Sequence, residues 1–141
     1  MNTSVSWERP DLHAEREEIL RTAKSEGLDL DDLWNALESG KLVPLTEQTW
    51  SRMENTDSYD VSTMEDAVEL AERYKRDWRS IKNAYETRGT LPAPIVIMKP
   101  NGALYLVGGN TRLIVARAHN TMPEIFLAQI DNENPQPGRD P

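Results

Sequence analysis

Cysteine is absent from the 141-residue chain, and histidine occurs twice, at His13 and His119. Disulfides, thiol chemistry, thiolate metal sites and zinc ribbons are thereby excluded. No apolar run approaches the roughly eighteen residues of a membrane span, and Met1–Pro10 carries no apolar core of a secretion signal. The expectation is a soluble, cytoplasmic protein with no membrane partner. Basic residues are also short, with 16 Lys and Arg against 24 Asp and Glu, a formal net charge of -8 and a pI near 4.8. That leaves too little cationic surface for histone-like coating of DNA. The 38% of residues that are hydrophobic suffice for one core, since a chain of this length can bury roughly two thirds of its unfolded surface. One domain with a tail is expected.

The run from Asp11 to Glu26 is rich in Ala, Glu, Leu and Arg and closes on Gly27, which predicts a helix ended by a left-handed glycine. Its thin stripe of Leu12, Ile19, Leu20 and Ala23 predicts a surface position. A second helix over Leu30–Ser39, with Asp29 as N-cap and Gly40 as C-cap, completes a hairpin. Lys41–Leu45 contains Pro44 and reads as an edge strand, followed by a helical turn over Thr46–Met53. Glu54–Asp60 is polar throughout and predicts a loop that buries no face.

Ser62 with Glu65 forms a capping-box pattern ahead of Met64, Ala67 or Val68, Ala71, Tyr74, Trp78, Ile81 and Tyr85, spaced three and four apart. This predicts a helix to Arg88-Gly89, with one break allowed for because the unbroken helix would reach about 40 Å at 1.5 Å per residue. From Leu91 the period changes. Ile95–Lys99 and Ala103–Val107 flank Pro100-Asn101-Gly102 as a β-hairpin, Thr111–Ala118 is a short helix, and Glu124–Ile130 a last strand. Asp131–Pro141, with three prolines, is expected to be disordered.

The informative stretch is the strand, then Gly108-Gly109-Asn110-Thr111-Arg112, then the helix. Two glycines let backbone approach an anion, the N–H groups of a helix start point towards it, and Arg112 adds donors suited to phosphate or carboxylate. Asn110 and Thr111 can cap the helix or bond a ligand. The plainer reading is a tight turn, a cap and a surface cation.

The order hairpin, Gly-Gly-Asn-Thr-Arg, helix, Pro, strand resembles the ParB/sulfiredoxin superfamily, in which a Gly-x-x-Arg motif at the helix start holds nucleotide phosphates. The resemblance is carried by Leu106–Leu113 and covers Leu91 to Ile130, with a looser fit for Thr63–Arg88 and the strand near Val43. Against the Gly-Glu-Arg-Arg box of ParB partition proteins, Gly109 and Arg112 align while Asn110 and Thr111 depart. Against the Gly-Gly-Cys-His-Arg box of sulfiredoxins, Gly108, Gly109 and Arg112 align, and Asn110 stands in place of the catalytic cysteine. The resemblance therefore excludes sulfinic acid reduction by that route. No helix-turn-helix domain follows, so sequence-specific partition work is not expected, and the chain looks more like the stand-alone ParB-like proteins of phages and mobile elements.

The resemblance implies an α+β fold, a small mixed sheet packed against the long helix and the motif helix. It divides the chain into an N-terminal helical extension (1–40), a ParB/sulfiredoxin-like domain (41–130) and a tail (131–141). It also implies a nucleotide or other phosphate-bearing ligand at Gly108, Gly109, Asn110, Thr111 and Arg112, with hydrolysis, phosphoryl transfer or binding without chemistry all compatible. An enzyme of that kind needs a carboxylate opposite the phosphate, for the nucleophile or for magnesium carried with a nucleoside triphosphate. The polar loop offers Asp57, then Asp60, then Glu54 as catalytic candidates; the plainer alternative is an Asx-type turn and a helix-start acid.

Arg73, Lys75, Arg76, Arg79, Lys82 and Arg88 crowd the end of the long helix, but Glu69, Glu72, Asp77 and Glu86 are interleaved, which predicts a self-paired face more than a nucleic acid surface. Trp34, Trp50, Trp78 and Tyr74 lie on apolar stripes and are expected in the core, with base stacking the alternative. His119, near a helix C-terminus, reads as structural. The competing function is a non-enzymatic acidic module that binds a protein partner, or a nucleic-acid-binding accessory protein.

Overall fold

The computed structural model describes residues 5–130; the expectation for the tail therefore lies outside the described residues. The architecture is α+β, with two small sheets. Strand β1 (Ser6–Glu8) is followed by helices α1 (Arg16–Glu26) and α2 (Leu30–Glu38), strand β2 (Lys41–Pro44) and the short helix α3 (Glu47–Trp50). Then come α4 (Met64–Arg73), α5 (Arg79–Thr87), β3 (Thr90–Pro92), β4 (Ile95–Met98), β5 (Leu104–Gly108), α6 (Asn110–Ala118) and β6 (Glu124–Gln129).

Strands β2, β6, β4 and β5 form the main sheet in that order, mixed because β4 and β6 run parallel while β2–β6 and β4–β5 are antiparallel. Proline-containing β2 is at the edge, where a missing N–H costs no ladder bond. The hairpin β4–β5 turns at Gly102, whose φ of 88° is the left-handed value that glycine supplies without strain. A short parallel pair, β1 with β3, stands apart and was not anticipated.

Both faces of the main sheet are covered. On one, Ile19, Ala23, Leu33 and Leu37 of α1 and α2 pack with Ile95, Ile97 and Phe126. Helix α1 lies on the outside of the domain, as its thin stripe predicts: Ile19, Thr22 and Ala23 form the buried face, while Arg16, Glu17, Arg21, Lys24 and even Leu20 of the stripe are exposed. On the other face, Leu113 of α6 joins Leu45, Met53, Val96, Leu104, Leu106 and Ile125.

The expected long helix is two helices that pack on α6 and β3 instead of on the main sheet, through Ala67 with Ile114, and through Ile81, Ala84 and Tyr85 with Leu91, Val115 and Ala116. Lys75, at φ 57°, breaks the run. Its N-cap is Thr63, accepting from the Asp66 N–H, while Asp66 accepts from Ser62; the capping pair falls one residue after the predicted Ser62 and Glu65. Tyr74, at the break, is half exposed and does not enter the core. Asp29 caps α2 as expected, but its C-cap is Ser39 and not Gly40. No helix among the described residues is long and apolar enough to cross a membrane.

Burial raises the Tyr85 hydroxyl to about 12, against a weaker lowering by its contact with Thr121. The ring is buried and stacks on His119 with centroids 4.3 Å apart. Between pH 10 and 12 the unfolded chain loses this proton while the folded one keeps it, so stability falls across that window and is unaffected below it. The loss amounts to roughly 2–3 kcal/mol. Chemical denaturation of Tyr85→Phe at pH 9, 10, 11 and 12 should show a flatter decline than the parent.

Candidate functional site

Strand β5 ends on Gly108, and the chain turns through Gly109 into α6. Gly109 sits at φ 93° and is the helix N-cap, with no side chain capping the first turn. Asn110 and Thr111 are already helical and leave that turn uncapped, contrary to one of the roles considered for them. A Cβ on Gly109 would lie 2.7 Å from both the Pro94 Cα and the Arg112 Nη2, so glycine is required here by both conformation and space.

This turn opens into a cleft of about 900 Å³. Its head is Gly108–Arg112; one wall is α1, with Glu18, Arg21, Thr22 and Ser25; another is the loop Asn55-Thr56-Asp57; and the lip is Arg76, Asp77 and Ser80 at the break between α4 and α5. The five predicted ligand-binding residues and Asp57 thus meet in one place. Glu54 and Asp60 do not line it. Glu54 pairs with Lys99 at 3.0 Å and bridges to β5, while Asp60, itself exposed, ends the 3-10 turn Ser58–Asp60.

Loop 54–60 does bury a residue, against expectation. Ser58 has no exposed surface because polar partners satisfy it: Trp50 Nε1 donates to its hydroxyl at 2.8 Å, and Thr56 Oγ1 lies 2.8 Å away. Thr56 Oγ1 in turn donates to Asn110 Oδ1 at 2.7 Å, and Asn110 Nδ2 faces Asp57 Oδ2 at 3.4 Å. Trp50 can only donate and Asn110 Oδ1 can only accept, so the hydroxyl protons run in one direction, from Trp50 through Ser58 and Thr56 to Asn110. The chain fixes Asn110 and, beside it, Asp57. Asn55 donates from Nδ2 to the Leu106 carbonyl at 2.8 Å, tying the loop to β5.

Arg112 is not free. Its Nη2 donates to both oxygens of Glu15, at 3.0 and 2.9 Å, with only 11% and 14% of the two side chains exposed. The partners are 97 residues apart, and no local pattern announces them. At the lip, Asp77 accepts from the Ser80 hydroxyl at 2.7 Å and from the Arg79 N–H at 3.1 Å. The Ser80 hydroxyl is the main reason that its carboxyl lies below the usual range, so the lip carries a negative charge beside Arg76. Sequence reasoning missed Thr22, Ser25, Arg76, Asp77 and Ser80. The one local signal was Asp77 with Ser80 three residues on, a helix-start pattern hidden inside an apparently continuous helix.

Of the six basic residues at the end of the expected long helix, Lys82 pairs with Glu86 and Arg79 comes within 4.0 Å of Glu72, so the face is self-paired only in part. His119 caps α6, its Nδ1 2.9 Å from the Val115 carbonyl. Among the described residues, no group of three or more His, Asp and Glu is placed to hold a metal ion. No family model, curated protein or solved structure matches this chain.

Proposed function

We propose that the chain is a ParB/sulfiredoxin-like domain that binds a phosphate-bearing ligand, a nucleotide in the first instance, with its phosphates at Gly108–Arg112. The observation that carries this reading is the α6 N-terminus. It is preceded by a left-handed glycine, uncapped by any side chain, and opens into a cleft large enough for a nucleotide. Anion binding there uses backbone N–H groups and the helix dipole, with Arg112 in the first turn.

If the ligand is turned over, Asp57 is the carboxylate of the predicted three that faces it, oriented through Asn110. Magnesium commonly binds through one or two carboxylates together with substrate phosphates; of the cleft acids, Glu18 is paired with Arg21, which leaves Asp57 and Asp77 for such an ion to meet. Calorimetry of the full chain against ATP, CTP, GTP and ADP with magnesium tests the reading. Binding of at least one at millimolar concentration is expected, and no binding of any would overturn it. Phosphate release, if seen, should fall in Asp57→Asn and persist in Asp60→Asn and Glu54→Gln.

A second reading, an acidic module for a basic protein partner, draws on the exposed groove of α4, where Met64 and Val68 are lined by Glu65, Glu69 and Glu72. Salt-sensitive co-purification indifferent to Arg112→Ala would favour it.

A further inference from the structure

A short polar side chain such as Asp at a helix N-cap accepts from its own first-turn N–H groups. Glu15 holds that position on α1 and makes no such bond. Its carboxylate instead reaches Arg112 Nη2. The place it occupies is the glycine notch itself, since a Cβ on Gly108 would come within 2.8 Å of Glu15 Oε1. An anionic group thus already fills the ground between Gly108 and Arg112, and it belongs to the chain.

Resting on the phosphate reading of the cleft, we infer that Glu15 is an internal competitor: its carboxylate stands where a ligand phosphate would take Arg112 Nη2, and it must leave before that nitrogen can serve the ligand. Two anions cannot share one guanidinium nitrogen in so enclosed a site without strong mutual repulsion. The backbone holding Glu15 can yield. Asp11–Arg16 is held by successive i to i+3 bonds of 3.1–3.3 Å, with Asp11, His13 and Ala14 exposed and Leu12 the one core anchor, which a change of Glu15 rotamer leaves in place. The rest of α1 can stay on the sheet through Ile19 and Ala23. Only one turn, or only the Glu15 rotamer, needs to move. Ligand affinity is then lowered by the work of displacing Glu15, and by reciprocity a bound phosphate loosens the turn before α1.

The test is calorimetry of inorganic pyrophosphate on the full chain, on Glu15→Gln and on Glu17→Gln, which removes the same charge from the same helix turn without a contact to Arg112. Coupling of the usual size predicts an affinity about 5- to 150-fold tighter in Glu15→Gln, with a much smaller change in Glu17→Gln. Binding by Glu15→Gln where the parent shows none supports the inference in its strongest form. Equal affinity in parent and Glu15→Gln, or an equal gain in both variants, overturns the competition but leaves the cleft as a phosphate site; weaker binding in Glu15→Gln makes Glu15 a positioning residue instead. No binding by any of the three overturns the phosphate reading and the competition with it. Hydrogen exchange on the unmutated chain gives a readout independent of the variants. Pyrophosphate should speed exchange at Glu15, Arg16 and Glu18, and unchanged or slower exchange there counts against the inference.

Discussion

Arg112→Ala should lower the free energy of unfolding by about 3 kcal/mol, near the lower end of the range for removing one partner of a buried ion pair. The reason is what it leaves behind. Glu15, 14% exposed, would keep its carboxylate against Gly108 with no cation facing it. Removing both partners should cost less than removing Arg112 alone, because the uncompensated charge goes too. Urea denaturation of Arg112→Ala, Glu15→Ala and the double variant measures this directly. If the loss in the double variant equals the sum of the two single losses, the two side chains do not interact as described. The prediction also bears on any binding assay: a loss of ligand affinity in Arg112→Ala has meaning only at a temperature where the variant is folded.

Gly109→Ala should have a still larger effect on the site. At φ 93° an alanine is strained by itself, and its Cβ would meet the buried Pro94 Cα at 2.7 Å, backbone that cannot swing aside. The same atom would push on Arg112 Nη2. A loss of about 3 kcal/mol or more is expected from strain and overpacking together. Gly108→Ala is the informative neighbour, because its Cβ meets the movable end of Glu15 and side-chain atoms of Glu18 at 3.5 Å or more. Thermal melts should therefore rank Gly109→Ala well below Gly108→Ala. The reverse order would mean that the turn before α6 is built differently.

What the sequence disclosed and what it concealed divide along sequence separation. The β4–β5 hairpin was legible because its change of period and the Pro100-Asn101-Gly102 turn are local, and α1 and α2 because Gly27 and Asp29 act within a few residues of themselves. The head of the cleft was legible for the same reason: Gly108 to Arg112 is one continuous turn. One break in residues 63–88 was expected from length, but its place was not legible, since apolar spacing of three and four continues across Tyr74–Trp78 and only Lys75 and the Asp77–Ser80 pairing mark it.

The walls of the cleft come from elements far apart in the chain. Thr22 and Ser25 look like ordinary exposed-helix residues until α1 is placed beside β5, and nothing near Arg112 points to Glu15. The burial of Ser58 depended on a hydrogen bond from Trp50, which polarity alone could not reveal. Asp57 and Asp60, ranked first and second from the sequence, are separate in the fold, because the link through Asn110 holds only Asp57 at the cleft.

The most direct test of the central claim is a backbone amide NMR titration of the full chain with ATP and magnesium. Saturable shifts concentrated at Gly108 to Leu113 and at Asn55 to Asp57 are expected, with smaller ones at Glu15 and Arg16. Shifts confined to other surfaces, such as the acidic groove of α4, or no shifts at millimolar nucleotide, would contradict it.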